Sequence, residues 1–256
     1  MKRQGAFFAM LLLAMLAARS GPLLAQFDHS HRTYGELLSR FVVGPRVDYK
    51  GLRKDRNNLD LYLQLSSEVT EPEFLRWNEA QQMVYLINLY NARTLALILD
   101  YYPIKSINHI GGLMRGPWRL NVVPLFGEML TLDQLEHEIL RKKYHEPRIH
   151  FALVCAAKGC PPLREEPYMA ENLEEQLQDQ GVRFFAESEK NRVDSAAGVV
   201  YLSPIFKWFK NDFTRDGKTV LAFVTPYFDE RSQSVIKANK EMRLKFTYYD
   251  WALNST

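Results

Sequence analysis

Apolar residues recur at helical spacing through the first half of the chain. YGELLSRFV and LDLYLQLSS predict amphipathic helices within residues 30–75, and VDYKGL between them predicts a short extended segment. The strongest pattern is WNEAQQMVYLINLYNARTLALILDYYP, which is apolar nearly all round and predicts a buried helix that ends before Pro103. Its apolar positions repeat with the helix period: Met83, Ile87, Tyr90, Leu95 and Ile98.

Shorter apolar runs separated by turn residues follow in the second half. GGLMRGPWRLNVVPLFGEML predicts a hairpin or an irregular β segment. TLDQLEHEILRKKY predicts a helix capped by Thr131 or Asp133, with basic residues that suit its C-terminus. The apolar run RIHFALVCAA predicts a buried strand, and GVVYLSPIFKWFKNDF predicts a strand followed by an aromatic-rich turn or helix.

The order of these elements predicts an α+β fold. NLEEQLQDQGVRFFAES predicts a helix that breaks at Gly181, and TVLAFVTPYF and FTYYDW predict a helix and a final strand. We found neither a linker nor a repeat, so we expect a single domain over residues 26–256. In this domain the helical first half packs on a small mixed or antiparallel sheet.

The first 25 residues have the pattern of a secretory signal peptide. Lys2 and Arg3 precede an uncharged apolar run over residues 6–18, and a small residue, Ala25, follows. The run is shorter than the roughly 20 residues that a membrane span needs, although an uncleaved amphipathic or membrane anchor is the alternative. We therefore expect a periplasmic or secreted protein with no transmembrane segment in its mature chain.

Charge argues against one class of partner. The net charge of +3 arises within this leader, because the rest of the chain carries 30 basic and 30 acidic residues. A nucleic-acid-binding protein needs a basic excess on one face, so we expect no nucleic-acid partner.

Six short motifs, taken in order, resemble the bacterial and plant "domain of unknown function 547" family. They are VDY at 47–49, YLINLYNA at 85–92, LTLDQLEHEILR at 130–141, IHFALVCAAKGCPPL at 149–163, LSPIFKWFKNDF at 202–213 and YYDW at 248–251. The chain departs from the family at residues 85–86, where Tyr-Leu replaces the more usual Phe-Trp. The resemblance implies a domain found alone in secreted bacterial proteins and fused to other modules in plants, and it implies no established activity.

The two cysteines of the chain, Cys155 and Cys160, allow four interpretations: a structural disulfide, a reactive thiol, a metal site, or a pair of free, buried and inert thiols. Export favours a structural disulfide, since oxidising compartments preserve such bonds. The resemblance favours a redox or nucleophilic thiol instead, because plant relatives carry a similar pair where thiols stay reduced. A metal site would need further ligands such as His150, His137 and His109, and we predict neither a metal nor a cofactor.

A nucleophilic Cys155 needs a base, and the predicted strand excludes the nearest histidine. On one strand, His150 and Cys155 would face opposite sides about 16 Å apart. His137 is then the better candidate base, with Glu136 as its orienting group. Both could equally belong to a solvated helix face.

Asn88 and Asn91 place amides in the apolar helix. Unpaired buried amides cost roughly 1–3 kcal/mol each, so both must have partners. They either hold a neighbouring loop or donate to an oxyanion beside a catalytic site.

No nucleotide, flavin, serine-hydrolase or zincin motif occurs in the chain, and the aromatic residues of FKWFKNDF predict core packing. The residues favour a non-catalytic envelope or binding protein. The alternative is a thiol-dependent hydrolase or transferase that uses Cys155.

Overall fold

Helices make up the first half of the chain. The computed structural model describes residues 26–112, 116–239 and 241–256, and the predicted leader lies outside them. The helices are α1 (Arg32–Phe41), α2 (Tyr49–Lys54), α3 (Asn57–Ser67) and α4 (Glu71–Phe74). Strands β1 (Val42–Val43) and β2 (Arg46–Val47) form a short antiparallel hairpin between the first two helices.

The two predicted amphipathic helices are confirmed, and the extended segment between them is shorter than predicted. VDYKGL is extended only at Val47, because the side chain of Asp48 accepts a hydrogen bond from the Gly51 N–H and caps α2.

The predicted buried helix is confirmed as α5, which spans Glu79–Tyr101. Asn78 and Gln81 cap its N-terminus reciprocally, each side chain accepting a hydrogen bond from the other's backbone N–H. Its residues from Gln82 to Ala92 are all buried, so α5 is covered on every side. Side chains on this helix therefore reach several other parts of the molecule.

The predicted hairpin and the helix after it are also confirmed. Strands β3 (Asn121–Leu125) and β4 (Glu128–Thr131) pair antiparallel. Thr131 and Gln134 then cap a π-helix, Gln134–Leu140, which continues into the short α6, Arg141–Lys143. π-Helical turns are rare and occur often at functional sites.

The predicted strand in RIHFALVCAA is wrong. Residues Ile149–Ala152 form the short helix α7, and the chain then continues without regular structure to Cys155. An apolar run of this length can be buried in either conformation, and here the hydrogen bonds that a neighbouring strand would supply come from the side chain of Asn91.

The predicted break at Gly181 is also wrong, because helix α8 runs through it from Leu173 to Ala186. A Cβ atom at position 181 would lie 2.4 Å from the ring of Tyr227. The glycine therefore permits close packing of the helix against this ring and does not end the helix.

A three-stranded mixed sheet occupies the last third of the chain. Strand β5 (Arg192–Asp194) pairs antiparallel with β6 (Val199–Leu202). Strand β6 pairs parallel with β7 (Arg243–Phe246). The helices between β6 and β7 are α9 (Ile205–Trp208), α10 (Lys210–Phe213), α11 (Val220–Val224) and α12 (Glu230–Ala238).

The last strand ends earlier than FTYYDW predicted. Only Phe246 of that stretch belongs to β7, and the residues after it are irregular. About half of the chain is helical and the sheets are small, so the α+β class and the helical first half are confirmed.

Residues 250–254 lie against the loop between the two cysteines. The backbone N–H groups of Lys158 and Gly159 donate to the carbonyls of Ala252 and Asp250, each at 2.8 Å. The Asn254 N–H donates to the Ala156 carbonyl at 3.0 Å. This pairing brings Tyr249 and Trp251 beside the cysteines.

Among the described residues, the structure has no helix with both the length and the apolar character needed to span a bilayer.

Candidate functional site

The side chain of Asn91 sets the course of the chain immediately before Cys155. Its amide NH₂ donates to the Ala152 carbonyl at 3.0 Å, and its amide oxygen accepts from the Val154 N–H at 3.0 Å. Both bonds are buried, so they are costly to break. Asn91 therefore fixes the chain where it leaves α7, one residue ahead of the thiol.

Asn88 holds a second segment in the same way. Its amide donates to the Tyr168 carbonyl at 2.9 Å and accepts from the Tyr168 N–H at 3.0 Å. Neither Asn88 nor Asn91 lines the cavity beside Cys155. Of the two predicted roles, the geometry matches the one in which these amides hold neighbouring loops.

Cys155 and Cys160 are both free thiols, so the structure does not contain the disulfide that export favoured. The Cys155 N–H donates to the Cys160 sulfur at 2.9 Å. The Cys155 sulfur lies 3.1 Å from the Tyr249 hydroxyl oxygen. Ala156, the next residue, has a φ of 58°, a left-handed conformation that non-glycine residues adopt rarely and often at functional sites.

The two thiols differ in acidity. A hydrogen bond from Cys160 lowers the pKa of the Cys155 thiol; burial opposes this change, and a hydrogen bond from Tyr249 adds to it. Burial raises the pKa of Cys160 well above the ordinary value. Cys155 is therefore the better nucleophile of the pair at neutral pH, because the thiolate is the reactive form.

Both sulfurs line a cavity of about 210 Å³. Aromatic residues of the cavity wall pack against one another, with ring centroids 4.8 Å apart for Trp208 and Tyr249 and 4.6 Å apart for Tyr249 and Trp251. The remaining lining residues include Tyr90, Trp118, Asp133, Glu136, His137, His150, Leu153, Pro161, Ile205 and Phe209.

Glu136 is a buried carboxyl group in the lining, only 8% exposed. Its Oε2 accepts a hydrogen bond from the Tyr90 hydroxyl at 3.2 Å. Burial raises the pKa of Glu136 to about 7, although the bond from Tyr90 and the charge of Arg141 act against this rise. A carboxyl with such a pKa exchanges protons readily at neutral pH.

His137, the predicted base, lies at the edge of the same cavity. Its Nδ1 is 2.9 Å from an Arg141 guanidinium nitrogen, and 35% of its side chain is exposed. Cys155, Glu136 and His137 all line this cavity, and the only hydrogen bond of His137 among the described residues is to Arg141.

His150 lies in the cavity, and its exclusion as a partner of Cys155 rested on the incorrect strand. In the helical conformation it lines the same cavity as the thiol. Its Nε2 is 2.8 Å from Asp212, its Nδ1 is 3.8 Å from Glu136, and its ring stacks on Phe209 at 3.9 Å. Burial lowers the pKa of His150, and the Asp212 carboxylate only partly offsets this effect.

Asp212 joins His150 to Arg141. The Arg141 guanidinium donates to both carboxylate oxygens, at 2.6 and 3.2 Å. Burial opposes ionisation of Asp212, but the hydrogen bonds from His150 and Arg141 outweigh burial and hold its pKa well below the ordinary value. The site thus contains an ionised Asp212, a neutral His150 and a Glu136 of intermediate acidity.

Sequence reasoning did not identify Asp212, Tyr249 or the tryptophans as site residues. Asp212 and Trp208 belong to FKWFKNDF, which was interpreted as core packing. That interpretation holds for Phe206 and Phe213, which are buried, whereas 48% of Trp208 is exposed. The sequence contained one indication of these residues. Of the six motifs that resemble the family, the last two, LSPIFKWFKNDF and YYDW, each contain a polar or exposed residue.

Over residues 26–112, 116–239 and 241–256, no three His, Cys, Asp or Glu side chains are grouped so as to hold a metal ion. His109, one of the ligands considered, does not line the cavity.

Comparison with known proteins gives one match. Residues 74–185 match the model of a family described as "Protein of unknown function, DUF547". Over this part of the chain, which is 112 of its 256 residues, the protein is similar to the DUF547 family. No curated protein and no solved structure matches the chain.

The DUF547 match covers part of the cavity lining. It includes Glu136, His150 and both cysteines, whereas Trp208 and Tyr249 lie outside it. The residues beyond the match therefore complete a site whose thiols and buried acid lie within the DUF547 region.

Proposed function

We propose that this protein is a thiol-dependent hydrolase or transferase that carries out acyl transfer through Cys155. The observation that supports this most is the position of Cys155 beside Tyr249 in a cavity that also holds Glu136 and His150. Titratable groups with altered acidity, gathered in one cleft, are typical of catalytic sites.

Each side chain would have a distinct role. The Tyr249 hydroxyl and the Cys160 thiol stabilise the Cys155 thiolate, which is the attacking group. Glu136, with a pKa of about 7, exchanges the proton. Asp212 holds His150 against Glu136, and Asn91 fixes the backbone that carries the thiol.

The proposed reaction has two steps. The Cys155 thiolate attacks the carbonyl carbon of an ester or amide and forms a thioester, while the bond to the leaving group breaks and that group takes the proton of Glu136. Water, or an acceptor alcohol or amine, then attacks the thioester and returns a proton to Glu136, and the Cys155 thiolate departs. The protein ends in its starting state, and hydrolysis or transfer depends on which acceptor arrives.

Trapping the acyl intermediate tests this proposal. Activated esters of several acyl groups are mixed with the protein, and intact mass is measured within seconds. We expect one acyl adduct on the wild type and on Cys160→Ala, and none on Cys155→Ala. The proposal is overturned if no ester leaves an adduct on Cys155 and the thiol alkylates no faster than a free cysteine at neutral pH.

A non-catalytic binding protein is the second candidate, and it is supported by the wall of packed aromatic rings. Neither asparagine supplies an oxyanion donor to the cavity, which also favours binding without reaction. Saturable binding of a ligand, together with no adduct and no turnover for any ester, would support this candidate.

Export is part of the proposal and rests on the pattern of the first 25 residues. A periplasmic or secreted protein would begin at Gln26 after cleavage. N-terminal sequencing of the protein recovered outside the cytoplasm tests this, and an intact leader on the recovered protein would contradict it.

A further inference from the structure

One oxygen of Glu136 lacks a hydrogen-bond donor. Oε2 accepts from Tyr90, whereas Oε1 accepts no hydrogen bond from any described residue, and the nearest imidazole nitrogens are 3.8 and 4.0 Å away on His150 and His137. Glu136 lines the cavity with its side chain 11% exposed, so Oε1 is free to accept a hydrogen bond from a ligand that enters there.

The charge of the lining limits what that donor can be. Among the described residues, Asp133 and Glu136 are the acidic members of the lining, and it contains no Lys or Arg. Three cations close to the lining have acidic partners. Arg141 is paired with Asp212, Arg119 approaches Asp133 at 3.4 Å, and Lys190, which donates to the Cys160 carbonyl, is paired with Glu187. Burial lowers the pKa of both His137 and His150, which keeps them neutral at pH 7. The charged groups of the described lining are therefore acidic, and they attract a cation and repel an anion.

The aromatic wall favours the same type of ligand. Trp118, Trp208, Trp251 and Tyr249 form a continuous cluster, with ring centroids 5.8 Å apart for Trp118 and Trp251. Aromatic faces bind alkyl groups by burial and bind cations through the ring quadrupole. Phe209 already has two partners of its own, because His150 stacks on its ring and Arg141 lies 5.1 Å from its centroid.

We propose that the cavity binds a protonated alkylamine or arylalkylamine, whose ammonium N–H donates to Glu136 Oε1 while its carbon skeleton lies on the tryptophan wall. One part of this inference rests on the proposed function: the statement that the amine belongs to the enzyme's substrate, either to the acyl donor or to the acceptor. Binding of the amine is a separate property that does not need Cys155.

The pH dependence of binding follows from the surroundings of Glu136. The groups that face it are Tyr90 on α5, His150 on α7, Asp212 on α10, the Cys155 thiol, and Asp133, His137 and Arg141 on its own segment. Among these, Glu136 has a pKa of about 7, and its ionised form is the one that attracts an ammonium. Affinity for a protonated amine should then rise about tenfold from about pH 6 to about pH 8.

Calorimetric titration of the full chain carrying Cys155→Ser tests the proposal without turnover. The ligands are benzylamine, benzyl alcohol and benzoate, which share a ring and differ in charge. We expect benzylamine to bind at least about tenfold more tightly than the alcohol, and benzoate to bind most weakly. Equal affinity for benzylamine and benzyl alcohol, or stronger binding of benzoate, would overturn the proposal.

Variants on the π-helix assign the effect to one carboxyl group. Glu136→Gln should remove the preference for benzylamine over benzyl alcohol. Glu138→Gln, on the same helix but exposed and paired with Lys142, should keep it. If Glu136→Gln does not fold, the affinity of the Cys155→Ser protein for benzylamine is measured at several pH values. An affinity that does not change between pH 6 and pH 8 would refute the assignment to Glu136.

The two proposals fail in different ways. Selective benzylamine binding without any acyl adduct on native Cys155 would leave the amine site standing and remove the thiol enzyme. Acyl adducts that form equally fast from neutral and amine-bearing esters, without selective binding of benzylamine, would support the thiol enzyme and remove the amine site.

Discussion

Asn91 holds the backbone on both sides of Leu153, by donating to the carbonyl of Ala152 and accepting from the N–H of Val154. A side chain in the middle of a buried helix thus fixes the segment that carries Cys155. The same amide group contributes to the stability of the fold and to the placement of the thiol.

We expect Asn91→Leu to lower the free energy of unfolding by roughly 1–3 kcal/mol, because it leaves a buried carbonyl and a buried N–H without partners. Chemical denaturation measures the change. Asn57→Leu, at an exposed asparagine near the start of α3, is the matched control and should have a smaller effect. Equal stability of the two variants would mean that the Asn91 bonds contribute nothing.

Replacing Cys160 should change the reactivity of Cys155. The hydrogen bond from Cys160 is the largest cause of the low pKa of Cys155, so Cys160→Ala should move the pH profile of Cys155 alkylation to higher pH. Cys160→Ser keeps a donor and should shift it less. Iodoacetamide labelling followed by peptide mass spectrometry gives both profiles, and coincident profiles for wild type and Cys160→Ala would refute this link.

Asp212→Asn should destabilise the protein by roughly 1–3 kcal/mol near pH 7, because it removes a largely buried carboxylate, with a side chain 10% exposed, that pairs with Arg141 and His150. The pKa of Asp212 is lower in the folded state than in the unfolded chain. Its contribution is therefore complete above the unfolded value of about 4 and is lost as the pH falls from there toward the folded value.

Denaturation curves of wild type and Asp212→Asn across this acidic range check the sign. The stability difference between the two proteins should shrink steadily below about pH 4. A difference that stays constant down to the lowest measurable pH would show that the charge of Asp212 is not its source.

Gly181→Ala should destabilise α8 even though alanine favours helices. The new Cβ would lie 2.4 Å from the Tyr227 ring, and overpacking of this kind costs roughly 1–3 kcal/mol against a gain of up to about 1 kcal/mol in helix propensity. Tyr227→Leu alone should also destabilise, because it removes a packed ring.

A double-mutant cycle separates the two effects. The Gly181→Ala and Tyr227→Leu changes together should cost less than the sum of their separate costs, since the clash needs both partners. If the two losses of stability are additive, the strain caused by Gly181→Ala does not come from contact with the Tyr227 ring.

Local patterns predicted local structure well and long-range contacts poorly. The period of apolar residues located α5, and turn residues located the β3–β4 hairpin. The same reasoning misassigned the segment before Cys155, because the hydrogen bonds that determine its conformation come from Asn91, more than 60 residues earlier. The spacing of apolar residues within the segment gives no indication that Asn91 is its partner.

The site shows the same limit. The candidate catalytic residues were Cys155, Glu136, His137 and the two asparagines. The first three line one cavity, whereas Asn88 and Asn91 do not. Tyr249 is 94 residues from the thiol it contacts, and Asp212 is 62 residues from His150. A single sequence identifies the types of residue that do chemistry but not which distant segments the fold brings beside them.

The pairing of residues 250–254 with the loop between the cysteines has a consequence for synthesis of the protein. The thiols and the buried acid leave the ribosome about a hundred residues before Tyr249 and Trp251. A nascent chain therefore cannot assemble the complete cavity, and Cys155 cannot meet its tyrosine partner until the C-terminal segment has been made.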